Sequence, residues 1–214
     1  MNLKALITLA CLFSLACLTV TFSQTFSGGA LLGMNASQVD GDNYAGYNKF
    51  GLMGGAFVYT SLSKKFDIQF EIKYMGKGAN KTTTELDFHK YTSHLNYIEI
   101  PVLVRLNTKI KLGWETGLGF GYLFSFNEKT EDGKLTSQDA TKFKPFELSY
   151  IIGATYQFAP KFLINLRYSY SVLSIAKTVV DNSVSTLPAY YKTGRGVYNN
   201  LFSIGLYYKI SGKK

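Results

Sequence analysis

From Phe50 to Ile210 the chain is a succession of stretches in which apolar and polar side chains alternate, and the links between them alternate as well, short then long. The short links are Ser61 to Lys65, Asn107 to Lys109 and Ala159 to Lys161. The long ones run Gln38 to Lys49, Lys77 to Thr92, Asn127 to Lys144 and Ile175 to Gly196. Period-two alternation gives a strand one face of each kind. Tight turns at one end and long loops at the other are the pattern of a barrel that spans a membrane, with the turns on the periplasmic side. The fold expected from this is all-β: an eight-stranded antiparallel up-and-down transmembrane β-barrel.

The cleanest strand sets Phe66, Ile68, Phe70, Ile72 and Tyr74 against Asp67, Gln69, Glu71 and Lys73. The next sets Ile98, Ile100, Val102, Val104 and Leu106 against Tyr97, Glu99, Pro101, Leu103 and Arg105. In the fifth, Leu112, Trp114, Leu118, Phe120 and Tyr122 alternate with Lys111, Gly113, Glu115, Gly117, Gly119 and Gly121. Segments 146–158, 162–172 and 198–210 repeat the pattern, and the Gly-rich segments 26–37 and 50–60 complete a count of eight. A soluble lipocalin-type barrel alternates too, with its apolar face inside. Three features choose lipid: the apolar faces are long and uninterrupted, aromatics sit near both strand ends, and loop lengths alternate. Pro101 cannot donate to a ladder, so a bulge or a distorted pairing is expected beside it.

Ahead of the strands, Lys4 and an apolar run from Ala5 to Val20 precede Thr21, Ser23 and Gln24. This reads as a secretory signal peptide over residues 1–23, with the barrel domain over 24–214. The run is short for a bilayer-spanning helix of about 20 residues, and Leu15 sits where a lipidation signal before Cys17 needs a small residue. Cys11 and Cys17 both fall inside this segment, so the exported chain holds no thiol chemistry. The formal net charge of +9 is scattered along the sequence. Export separates the chain from nucleic acid, and the excess fits anionic lipid headgroups or cell-wall polymers.

With the apolar faces in lipid, Asp67, Glu71, Glu99, Glu115 and Glu147 fall inside, together with Lys73, Arg105, Lys111, Arg167 and Lys209. Counting from the short turns puts Glu71, Glu99, Glu115 and Arg167 near mid-barrel, and Arg105 lower. The candidate site is therefore a lumen charge network of Glu71, Glu99, Glu115, Arg105 and Arg167, read first as a structural salt-bridge plug because eight strands enclose a space that side chains just fill. A proton- or ion-sensitive cluster is the sharper alternative.

Chemistry elsewhere is thin. His89 and His94 are the two histidines, and their setting at a long loop fits solvated surface better than a metal site. Asp40, Gly41, Asp42 and Asn43 lack the later ligands of a calcium loop, and Glu131, Asp132 and Gly133 read as a turn. No nucleophile elbow occurs. Gly117, Gly119 and Gly121 repeat with period two inside a strand, unlike a phosphate loop. No catalytic residue, cofactor or metal is expected.

The motif Tyr97-Ile98-Glu99-Ile100-Pro101-Val102-Leu103-Val104-Arg105, with Gly28 to Asn35, Phe50-Gly51-Leu52, Gly117 to Gly121, Phe146 to Phe158, Arg167-Tyr168 and Tyr198 to Ser203, resembles the PorT-like outer-membrane β-barrel family, whose members are called porin-family proteins. The resemblance covers the whole exported chain and implies an eight-stranded barrel in the outer membrane of a Gram-negative-type envelope. Some relatives assist secretion. The chain departs from the pattern by continuing Ser211-Gly212-Lys213-Lys214 past Ile210. The function expected is that of a non-enzymatic, monomeric barrel with a structural or interaction role, a charged and largely sealed lumen, and outer-membrane lipid as its partner. Other envelope or secretion proteins would engage the long loops, among them the aromatic segment Leu187 to Tyr191. The alternatives are a small passive channel and an accessory component of a secretion apparatus.

Overall fold

The computed structural model describes residues 26–41, 46–81, 90–130, 133–135, 141–176 and 196–210. The expected signal segment, both cysteines, His89, the Asp42-Asn43 and Glu131-Asp132 turns, Leu187 to Tyr191 and the last four residues lie outside these ranges.

Eight strands form the wall: β1 Ser27–Asp40, β2 Lys49–Ser61, β3 Phe66–Lys77, β4 Tyr91–Asn107, β5 Leu112–Thr130, β6 Phe146–Ala159, β7 Phe162–Ser171 and β8 Tyr198–Ile210. Each pairs antiparallel with its neighbours in sequence, and β1 pairs with β8, from Gly28↔Ile210 to Asp40↔Tyr198, which closes the barrel. Closure removes every sheet edge, the condition for strands to cross lipid with their backbone groups paired. Two short strands, Asn80–Lys81 and Gly133–Lys134, add to β4 and β5 at the long-loop end.

The alternation seen in sequence becomes inside and outside. On β3, Phe70, Ile72 and Tyr74 are exposed while Asp67, Gln69, Glu71 and Lys73 are buried. On β5, Trp114, Leu118, Phe120 and Tyr122 are exposed around buried Glu115. A continuous apolar exterior of this extent is unfavourable in water and favourable in acyl chains. Gly119 lies on the inner side of β5, where a methyl group would sit 2.5 Å from Ser149 Oγ and 3.5 Å from the Glu99 carboxyl carbon. Any side chain there would have to displace Ser149, and the gap that glycine leaves is occupied by side chains from the neighbouring strands.

Two departures from simple alternation have local causes. β4 and β5 begin and end well beyond the expected 97–106 and 111–122, continuing as a hairpin past the lipid-facing band. A register shift pairs Tyr97 with Leu123 but Asn96 with Ser125, leaving Phe124 as the extra residue of a bulge. A bulge inverts which side chains point inward, so the period-two signal in β5 breaks at that point. Beside Pro101, the β3–β4 ladder runs to Phe70↔Val102 and resumes at Lys73↔Glu99 in the same register. The pairing is interrupted there without a bulge, as expected of a residue with no N–H.

Candidate functional site in the lumen

The inward faces of β3, β4, β5, β6 and β7 converge on one connected set of ions. Arg167 on β7 reaches across the lumen and donates from both terminal nitrogens to Glu71 on β3, each at 2.7 Å. Its Nε donates to Glu115 on β5, and Asn165 Nδ2 donates to the same carboxylate at 2.7 Å. Arg105 on β4 lies 3.4 Å from Glu115 and donates to Gln69 Oε1 at 2.5 Å, and Gln69 in turn donates to Glu71 at 2.6 Å. Lys73 joins Glu71 (3.4 Å) to Glu99 (3.3 Å), and Lys77 joins Glu99 (2.8 Å) to Glu147 (3.1 Å). Four carboxylates thus meet four cations, and no step between partners exceeds 3.4 Å.

Neutral groups take up the remaining lone pairs. Ser171 and Asn199 donate to Glu147 at 2.7 and 3.0 Å, and the Tyr207 hydroxyl donates to Glu71 at 3.1 Å. The Lys77 ammonium lies 4.9 Å from the Tyr97 ring centre, and the Arg167 guanidinium 5.4 Å from that of Tyr207. Bidentate arginine geometry is the strongest form of carboxylate pairing. All eight ions are at most 5% exposed. Ions withdrawn from water to this degree lose several kcal/mol of hydration each, so the net holds only while its partners stay together.

Apolar layers close the space on either side. At the long-loop end, Val39, Tyr91, Leu95, Tyr97, Leu123, Ile175 and Val197 form a buried cluster against which Phe143 packs. Lys144 N–H to the Ile175 carbonyl (2.7 Å) and Ile175 N–H to the Val197 carbonyl (2.8 Å) tie these segments together. Glu128 fastens the cap from the side, accepting from Thr141 N–H at 2.6 Å, from Thr141 Oγ1 at 2.8 Å and from the Tyr91 hydroxyl. Toward the short turns, Leu31, Phe57, Leu163 and Tyr207 form a second cluster, and Met53, Met75 and Leu201 form a third in the long-loop half of the wall.

Of the residues singled out from sequence, Glu71, Glu99, Glu115, Arg105 and Arg167 all lie in the net, but the three carboxylates placed near mid-barrel with Arg167 do not all pair with it. Arg167 holds Glu71 and Glu115, while Glu99 belongs to Lys73 and Lys77. Arg105 joins the net through Glu115 instead of sitting apart below it. Lys111 does not enter the lumen: it is exposed in the β4–β5 turn with φ 63°. Lys209 is half-buried near Gln157 and the Tyr59 ring, and Asp67 is held by Ser61 (2.7 Å) and Asn107 (2.6 Å). Lys77, read as the start of a loop, is fully buried in the centre of the charges. Extending the β3 series Glu71, Lys73, Met75 by one more step identifies it.

His94 projects from the β4 extension, beyond the lipid-facing band. Partial burial, with Lys49 and Lys129 nearby, holds its imidazole below the ordinary value of 6.5. Its NMR titration midpoint is accordingly expected below 6.5 and should rise in Lys129→Gln. Because the folded state resists protonation more than the unfolded chain, the stability linked to His94 is present above pH 6.5 and is lost as the pH falls below it through the lower folded-state value. Among the described residues no group of His, Cys, Asp and Glu side chains has the arrangement of a metal site.

The profile of the outer membrane protein beta-barrel domain matches residues 22–177 of the chain. No curated protein sequence matches it. Among solved structures, Neisserial surface protein A (NspA) superposes with a TM-score of 0.53 at 13% identity, over 88% of this chain and 100% of that one. Ail of Yersinia pestis gives 0.49 at 14% identity, over 86% and 99%, and OprG of Pseudomonas aeruginosa gives 0.40 at 16%, over 87% and 95%. At these identities the likeness is one of fold, and of the three it is NspA whose superposition carries it.

Proposed function

The chain belongs to the outer membrane protein beta-barrel family, and from that premise we propose that it is a non-enzymatic, monomeric barrel with a structural or interaction role. Its long loops are the working surface and its lumen is closed to ions. The observation that carries this reading is the unbroken net from Glu147 to Arg105, with apolar layers on either side of it. An ion crossing the barrel would have to displace buried cations from their carboxylates and then pass largely apolar clusters whose tyrosine hydroxyls are already bonded, Tyr91 to Glu128 and Tyr207 to Glu71. The interior of an eight-stranded barrel is just wide enough for such side chains to fill it.

The Tyr97 to Arg105 motif supports a finer placement among PorT-like barrels, and with it export by a cleaved signal segment. Contact with other envelope or secretion proteins through the long loops fits the same reading. The test is single-channel recording in planar bilayers. Protein inserted from detergent is expected to give no steady open level, and a steady level would make the lumen a passive channel and end the sealed reading.

A further inference from the structure

We propose that the short-turn end of the barrel is a collar for anionic phospholipid headgroups in the periplasmic leaflet. The three tight turns, residues 61–65, 107–111 and 159–161, carry Lys64, Lys65, Lys109, Lys111 and Lys161, and all five are exposed. Among the described residues no Asp or Glu is exposed at all. The acid closest to these turns, Asp67, is buried and already held by Ser61 and Asn107. The collar therefore presents five lysines with no exposed carboxylate among the described residues to offset them.

The same turns carry apolar tips. Leu62 and Ile110 are 54% and 72% exposed, and Phe158 and Phe162 stack across the third turn with ring centres 6.0 Å apart. Apolar bodies at the acyl boundary, with lysine stems running past them to the phosphates, are the side-chain chemistry of a headgroup layer. Each basic residue near such a surface adds appreciably to binding. The distribution of the charge selects the occupant. The turns join β2 to β3, β4 to β5 and β6 to β7, so the lysines are spread around the rim. An annulus of lipid meets a barrel on all sides, whereas a folded acidic partner would meet one sector and leave the other apolar tips in water.

The chain supplies its own probe. Trp114, the one tryptophan, is 54% exposed on the lipid side of β5, just above the Lys109–Lys111 turn, so lipids held by that turn lay their acyl chains against it. In vesicles containing brominated phosphatidylglycerol or brominated phosphatidylcholine at equal mole fraction, Trp114 of the protein purified from outer membranes should report a preference of about threefold or more for phosphatidylglycerol at low salt. The preference should fall close to one at about 0.5 M salt. It should likewise vanish when all five lysines become glutamine. A variant with only Lys109→Gln and Lys111→Gln, at the turn beside the probe, should lose about half of it, and keeps the test decisive if the fivefold variant does not fold. Equal quenching by the two lipids in the native protein, or a preference that survives the substitutions, overturns the collar. Both outcomes are independent of whether the lumen conducts.

Discussion

Replacing Arg167 by methionine is expected to lower the unfolding free energy by about 3–5 kcal/mol, the usual cost of removing one partner from a buried ion pair. Two carboxylates depend on this side chain: Glu71 accepts two hydrogen bonds from it and Glu115 a third. Methionine fills much of the volume, so the loss is electrostatic and not one of packing. Urea unfolding in lipid vesicles, followed through Trp114 emission, measures it. Arg167→Lys keeps the charge but not the fork that grips Glu71, and should fall between the two. Adding Glu71→Gln to Arg167→Met removes a stranded charge and should restore about half of the loss, whereas a merely steric role for Arg167 predicts no recovery. An Arg167→Met barrel as stable as the native one would show that the lumen ions are not energetically coupled.

Leu118→Arg should cost about 2–4 kcal/mol in the same assay, the penalty for a basic side chain on the lipid face near the middle of the bilayer. Leu118 is exposed between Trp114 and Tyr122 on β5, and is paired with Val102 and Tyr150 on the adjacent strands. Asn127→Arg, on the β5 extension past the lipid-facing band, is the control and should be nearly neutral. The pair separates two ways of burying an apolar face. A soluble barrel turned inside out would pay for Leu118→Arg through lost core packing and would fold without lipid. A membrane barrel pays through ion dehydration and requires the bilayer. A negligible effect at Leu118 would contradict the assignment of that face to acyl chains.

The two substitutions probe parts of the molecule that differed in how readable they were. The lipid face could be read along the chain because alternation is a property of each strand's own backbone: Phe66 to Tyr74 shows its two faces in nine consecutive letters. Where that local rule breaks, reading stops. The Phe124 bulge inverts the parity of β5, and the hairpin beyond it lost its signature. Lys77 reads as loop because the apolar series ends at Tyr74, although the inner series Glu71, Lys73, Met75 continues to it. Lys111, in the turn at φ 63°, likewise makes β5 begin at Leu112, one residue later than alternation alone suggests.

The amino-acid sequence by itself determined the number of strands, the face each gives to lipid, the end that carries the turns, and the kinds of charge enclosed. These follow from period-two geometry and from the high cost of a bare ion in hydrocarbon, which act residue by residue. Only the tertiary structure decided who pairs with whom. Arg167 and Glu71 are 96 residues apart and meet because closure of β1 on β8 fixes the stagger of every strand around the ring, and partners across a lumen depend on that stagger and not on any spacing along the chain.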